Sequence, residues 1–245
     1  MKEFIITKND ANQRFDKFIT KTVPLLPQSL LYKYLRLKRI KLNGKKAEIS
    51  TRLKEGDIVQ MYINDEFFAP KEEKYSFLGA GKELSIVYED ENILLLNKKV
   101  GLLSHPEEGE YTDTLITRVQ RYLYEKGEYD PKNEASFAPA LANRIDRNTS
   151  GIVMAAKNAE ALRILNEKIK LREIEKRYLC IAIGRFPKKK GIAEGYLIKD
   201  EKKNTVTVHK DMVKGGKFIK TGYTVIETKG DLSLVEVELF TGRTH

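Results

Sequence analysis

Apolar residues fall at helical spacing in the first part of this chain and in short turn-bounded runs further on. Phe15, Phe18, Ile19 and Val23 stand three and four apart, which predicts an amphipathic helix over residues 12–23. A second helix is expected from near Ser29, whose hydroxyl can cap it, to about Arg39. Its apolar positions Leu30, Leu31, Tyr34 and Leu35 share one face, leaving Lys33, Arg36, Lys38 and Arg39 for solvent or a partner. Ile40-Lys41-Leu42 reads as a short strand and Asn43-Gly44 as a tight hairpin turn. Residues 51–63 add another strand around the Glu55-Gly56-Asp57 turn.

From Leu84 onward the pattern becomes one of strands. Residues 85–88, 93–96, 151–155, 178–183, 205–208 and 232–240 are apolar and bounded by turns. Helices are expected over 114–124 and over 158–172, where Ala161, Leu162, Leu165 and Ile169 form one stripe. Strands outnumber helices and their spacing is hairpin-like, so the predicted class is α+β. A small helix–helix–hairpin domain would precede a domain with a mixed, mostly antiparallel sheet flanked by helices. Residues 65–82, with Pro70, Lys71-Glu72-Glu73-Lys74, Gly79 and Gly81, read as the linker between domains 1–64 and 83–245. Gly79-Ala80-Gly81-Lys82 lacks the spacing of a phosphate loop, and Gly215-Gly216-Lys217 reads as a turn.

Composition narrows the function. A length of 245 residues suits two domains. No apolar run approaches the ~20 residues that span a bilayer, and residues 1–7 do not resemble a signal peptide. Cys180, the single cysteine, excludes an intrachain disulfide and suits a reducing cytoplasm; within its apolar run it is expected to be buried and inert. His105, His209 and His245 lack ligand spacing, so neither a metal nor an organic cofactor is implied. The net charge is +10, and residues 1–64 hold 14 Lys and Arg against 6 Asp and Glu. No acidic residue falls between Asp16 and Glu48. Scattered lysines would be ordinary solvated surface, but an acid-free run of this length favours a polyphosphate partner, RNA or DNA.

The segment with chemistry in it is Asn143-Arg144-Ile145-Asp146-Arg147-Asn148-Thr149-Ser150-Gly151, just before the strand at Ile152. Flanking guanidiniums hold a carboxylate ionised and oriented, as a nucleophile needs, and can grip phosphates beside a target base. The plainer reading is an Asx-turn capped by Asp146 between two solvated arginines. Motifs elsewhere decide between them. Residues 14–19, 30–35, 39–45 and 53–59 resemble an S4 domain, a helix–helix–hairpin module that binds structured RNA. The segment at Asp146 resembles the "His-Arg-Leu-Asp-x-x-Thr-Ser-Gly" signature of the large-ribosomal-RNA pseudouridine synthases. Residues 97–106, ending in His105-Pro106, resemble that family's "Lys-Pro-x-Gly-x-x-x-His-Pro" loop. Lys176-Arg177-Tyr178 and residues 239–245 resemble its "Lys-x-Tyr" and "Thr-Gly-Arg-Thr-His" motifs.

The resemblance implies an RNA pseudouridine synthase with Asp146 as nucleophile, attack at ribose C1′ and at uracil C6 both being open. It implies that Tyr178 stacks on the flipped uracil and that Arg243 pairs with Asp146. Arg144, Arg147, Thr149 and His105 would bind substrate, Arg144 by entering the RNA to extrude the base and Thr149 by shaping the loop. In the S4-like part, Lys33, Arg36, Lys38, Arg39, Lys41 and Lys45 would contact RNA. Ribosomal RNA is the expected partner, transfer RNA the alternative, with no membrane and no obligate protein partner. Two departures stand out: Asn143 and Ile145 replace the signature's histidine and leucine, and the last motif breaks off at His245, so the catalytic domain is expected to be C-terminally truncated. They motivate a second reading, a non-catalytic RNA-binding or ribosome-assembly protein. A metal-dependent nuclease would need clustered carboxylates, which the sequence does not offer.

Overall fold

In the computed structural model, which describes residues 1–68, 72–200 and 205–241, the chain packs as two compact units, 1–167 and 168–245. The first opens with β1 (Lys2–Ile5), α1 (Phe15–Thr22), α2 (Gln28–Arg36), β2 (Ile40–Leu42) and β3 (Ile58–Met61). The strands form an antiparallel sheet in the order β1-β3-β2. The helical spacing read from the sequence is realised in α1: Phe15, Phe18, Ile19 and Val23 are fully buried, each stabilising the module by roughly 1.5–3 kcal/mol. Leu31 and Leu35 of α2, with Ile40, Val59 and Met61 of the sheet, complete the same core.

Two helix details differ from expectation. Ser29 does not cap α2, which starts one residue earlier after Pro27 and has no side-chain cap. It also ends at Arg36 and not near Arg39, because Lys38 adopts the left-handed conformation at φ 59° and so breaks the helical run. The Asn43-Gly44 turn is present, with φ 49° and 74°. It is stapled to β3, since the Asn43 Oδ1 accepts the Ile58 N–H at 2.8 Å and its Nδ2 donates to Asp57 at 2.8 Å.

The described residues of the expected linker, 65–68 and 72–82, are more structured than a linker. They contain short 3₁₀ segments at Asp65–Phe67 and Glu72–Gly79. Phe77 is buried, with its ring 5.7 Å from that of Tyr124 and 5.9 Å from that of Tyr129. Phe67, Phe68 and Tyr75 also pack against neighbouring aromatic rings, so several side chains pin the stretch.

The rest of this unit is a four-stranded sheet in the order β4 (Ile86–Glu89), β5 (Ile93–Lys98), β7 (Gly151–Ala156), β6 (Ala140–Leu141). α3 (Leu115–Glu125) follows β5 and is opened by a capping box in which Thr114 and Thr117 satisfy each other's backbone N–H groups. α4 (Ala159–Lys170) follows β7, and Asn158 accepts the Ala161 N–H at 2.8 Å to cap it. The second unit is a five-stranded sheet ordered β10 (Thr205–His209), β9 (Lys190–Asp200), β11 (Lys217–Lys229), β12 (Leu232–Leu239), β8 (Arg177–Ile183). Among the described residues every strand pairing is antiparallel, not mixed.

β9 and β11 escaped the sequence reading because Lys, Glu and Gly interrupt their alternation. Cys180 is exposed, contrary to expectation. β8 is an edge strand, so its apolar run does not imply burial on both faces.

Candidate active site

β5 and β7 pair so that Lys98 lies opposite Gly151 and Asn97 opposite Ile152. The chain leaving β5 (residues 99–103) and the loop entering β7 (residues 142–150) therefore meet at one end of the sheet. Asp146 sits on the second loop and is exposed, as are Arg144 and Arg147 on either side; Thr149 is half-buried. The loop turns at 146–149, where the Thr149 N–H donates to the Asp146 carbonyl at 3.1 Å.

Other residues hold this loop by its backbone. Lys98 is fully buried, and its ammonium donates to the carbonyls of Leu102 at 2.7 Å, Lys99 at 3.1 Å and Arg147 at 3.2 Å. The Arg147 carbonyl also accepts the Gly101 N–H at 2.8 Å, with Gly101 at φ 90°. That left-handed backbone suits glycine alone among common residues. On the other side of Asp146, the Ser104 hydroxyl donates to the Ile145 carbonyl at 2.8 Å within the core.

Asn143 ties the loop to β7. Its Oδ1 accepts the Met154 N–H at 2.8 Å and its Nδ2 donates to the Ile152 carbonyl at 3.3 Å. The asparagine that departs from the signature is thus a structural tether here, and the carboxylate three residues on remains presented to solvent.

The electrostatics follow from burial. Burial pushes the Lys98 ammonium below its usual pKa, while the nearby Asp146 carboxylate opposes that shift. His105, half-buried, is likewise pushed down by burial and by the Arg144 guanidinium beside it. Arg144 reaches Glu107 at 3.3 Å, an exposed pair that leaves it free to exchange partners. Arg147 lines a cavity of about 780 Å³ together with Asn97, Lys98, Lys99, Leu102 and Leu103.

Of the residues expected at the site, Asp146, Arg144, Arg147, Thr149 and His105 come from this one region of the first unit. Tyr178 is half-buried on β8 in the second unit, opposite Val237 of β12. Arg243 lies outside the described residues. In the N-terminal module Lys33, Arg36, Lys38, Arg39 and Lys45 are exposed and Lys41 is half-buried. Arg39 lies 5.4 Å from the Tyr34 ring and Lys41 5.2 Å from the Tyr62 ring, contacts that restrain the cations without neutralising them.

Lys98 and Ser104 were not singled out from the sequence, although Lys98 carried a signal. Leu94, Leu96 and Lys98 alternate along β5, and all three are fully buried. A lysine in phase with the core face of a strand must satisfy its ammonium with interior acceptors. Among the described residues, no helix is long and apolar enough to cross a membrane.

Among known proteins, the family model described as RNA pseudouridylate synthase matches residues 92–245. An uncharacterized RNA pseudouridine synthase of Mycoplasma genitalium is 34% identical over 99% of this chain and 75% of its own length. The ribosomal large subunit pseudouridine synthase C of Vibrio cholerae is 30% identical over 98% of this chain and 73% of its own. Among solved structures, human RNA pseudouridylate synthase domain containing 4 aligns with a TM-score of 0.53 at 19% identity, covering 66% of this chain and 60% of that one. At that identity the structural likeness speaks to the fold alone: antiparallel sheets with few helices.

Proposed function

The chain belongs to the RNA pseudouridine synthase family and is an isomerase acting on RNA, and from that premise we propose that Asp146 is its nucleophile and ribosomal RNA of the large subunit its substrate. The observation that carries the first part is the presentation of Asp146. It is an exposed carboxylate between two exposed arginines, on a loop fixed from inside by Lys98, Ser104 and Asn143. Covalent catalysis needs the attacking group in a narrow range of positions, and a loop pinned on both sides of the nucleophile supplies that.

In the reaction the uracil detaches from ribose C1′ at N1, rotates, and rejoins through C5. N1 gains a proton and C5 loses one, so composition is unchanged. Arg144 enters the helix and takes the place of the target base, offsetting part of the unstacking cost. Arg147 holds a neighbouring phosphate, Thr149 shapes the loop and His105 binds the substrate. The family resemblance implies that Tyr178 stacks on the flipped uracil and that Arg243, which lies outside the described residues, partners the nucleophile.

The N-terminal residues 1–64 act as an S4-type RNA-binding domain through Lys33, Arg36, Lys38, Arg39, Lys41 and Lys45. Their arrangement on α2, β2 and the adjoining turns supports this, as does the absence of acidic residues between Asp16 and Glu48. Such a surface contributes affinity through phosphates and leaves base choice to the catalytic loop. The large-subunit assignment is supported by the name of the Vibrio cholerae relative. A cytoplasmic location goes with that substrate.

Tritium release from RNA labelled at uracil C5 tests the reading, with large-subunit ribosomal RNA and transfer RNA in separate arms. Release from ribosomal RNA that vanishes in Asp146→Asn is the expected result. Release that survives in Asp146→Asn removes Asp146 from the chemistry, and release only from transfer RNA reassigns the substrate.

A further inference from the structure

The N-terminal module is bonded to the rest of its unit by much more than the intervening chain. Asp10, fully buried, accepts the Ser136 hydroxyl at 2.6 Å and the Ser136 N–H at 3.2 Å on one carboxylate oxygen. The other oxygen accepts the Thr7 hydroxyl at 2.9 Å. Gln13 donates to the same Ser136 hydroxyl at 2.7 Å. Asn9 donates to Glu134 at 2.9 Å, and its Oδ1 accepts the N–H of Ala159, the first residue of α4, at 3.1 Å. Arg163, one turn further along α4, donates to the Ala11 carbonyl at 3.3 Å, and Lys8 pairs with Glu160 at 3.4 Å.

This seam has the character of an interior interface. Its central groups include Asp10, Asn9 and Ser136, short side chains that lose less rotamer entropy when fixed than long ones do. Asp10 offers only acceptors and meets hydroxyl and amide donors, and Asn9 uses both ends of its amide on two different elements, while Gln13 Oε1 and Glu134 Oε2 stay buried without a partner. Removing Ser136 as a partner while the seam stays closed would leave this buried carboxylate under-satisfied, at a cost of about 1–3 kcal/mol. The expected linker contributes too, since Phe77 anchors it against Tyr124 on α3.

We propose that the seam is a latch that makes the basic module and the Asp146 loop one rigid body, so that the module acts as a ruler selecting which uridine reaches Asp146. The substrate class is a structured RNA that presents a helical phosphate backbone at one fixed offset from the target uridine. Asn9, Ser136 and Arg163 are specificity-determining positioning residues that touch neither substrate nor reacting atoms. The ruler rests on the function proposed above; the latch does not.

The test compares the full chain with Asn9→Ala/Ser136→Ala/Arg163→Ala, none of whose side chains belongs to the module's apolar core. Asn9→Ala alone serves if the triple variant fails to fold. The first measurement is amide hydrogen exchange at Ala159 and Ser136, whose acceptors lie across the seam. The second maps pseudouridines on large-subunit ribosomal RNA, with turnover on a short single-stranded uridine oligonucleotide as the control. Exchange at both amides should accelerate about tenfold or more, and preference for the favoured uridine should fall by roughly the same factor, while oligonucleotide turnover stays within about twofold. Amides that exchange freely in the unmodified chain overturn the latch. Unchanged site preference despite opened amides overturns the ruler and leaves the synthase reading intact. An unmodified chain that makes no pseudouridine in any RNA defeats that reading, and the ruler with it.

Discussion

Replacing Lys98 by methionine isolates what the buried ammonium does, because the thioether fills most of the same stem volume. The variant loses three hydrogen bonds, at 2.7, 3.1 and 3.2 Å. The Arg147 carbonyl keeps the Gly101 N–H, so the carbonyls of Leu102 and Lys99 bear the loss. Each such acceptor left without its charged donor costs about 1–3 kcal/mol. Against this, burying the ammonium costs several kcal/mol, which methionine does not incur. The two terms largely offset each other, so the net expectation is a destabilisation of at most about 3 kcal/mol, or a drop in melting temperature of no more than roughly 10 °C. The effect on turnover should be larger than the effect on stability. Displacement of a nucleophile by about 1 Å can cost on the order of a hundredfold, so kcat should fall at least about tenfold while RNA affinity holds. Steady-state tritium release alongside calorimetry checks both. A variant that melts normally and keeps kcat refutes the claim that Lys98 holds the loop, and a loss confined to KM would move its role to RNA binding.

Arg144→Ala should leave stability within about 1 kcal/mol, since its pair with Glu107 is exposed. It should lower modification by roughly tenfold or more with little change in RNA binding; equal losses in both would count against base extrusion. Glu89 offers a pH test. Burial alone would push its carboxyl up, but hydrogen bonds from Lys126, Tyr122 and Lys157 outweigh burial and hold the pKa at about 2. A depressed carboxylate pKa stabilises the fold above 4.5 and loses that contribution as pH falls towards 2, on the order of 3 kcal/mol in all. Glu89→Gln should flatten urea-unfolding stability across that window, and an unchanged acid limb would refute the assignment. Replacing Lys33, Arg36 and Arg39 by alanine should shallow the salt dependence of RNA binding by roughly 0.7–0.9 for each phosphate no longer neutralised. An unaltered slope would place the RNA elsewhere.

Local order was legible where periodicity was clean. The α1 spacing of Phe15, Phe18, Ile19 and Val23 became a buried stripe, and Ile40–Leu42 appeared as a strand at the expected residues. β9 and β11 were invisible because Lys, Glu and Gly are scattered among their apolar residues, so no clean apolar phase marks them. At the site, the Asp146 segment stood out through its charge pattern. Of the residues that hold it, Ser104 did not, because it acts on a backbone carbonyl 41 positions away brought near by the β5–β7 register, and no local pattern encodes an interaction of that range. The seam at Asp10 was hidden for the same reason: Ser136 is 126 positions away in the chain.

Lys98, Gly101 and Ser104 all grip main-chain oxygens of the Asp146 loop. Main-chain atoms are common to every amino acid, so the grip survives whatever side chains the loop displays. Positions 144, 146 and 147 are therefore open to wholesale exchange at little structural cost, a favourable starting point for directed evolution. A library randomised at those three positions should remain mostly folded, and its members should differ in the RNA they accept and the chemistry they perform.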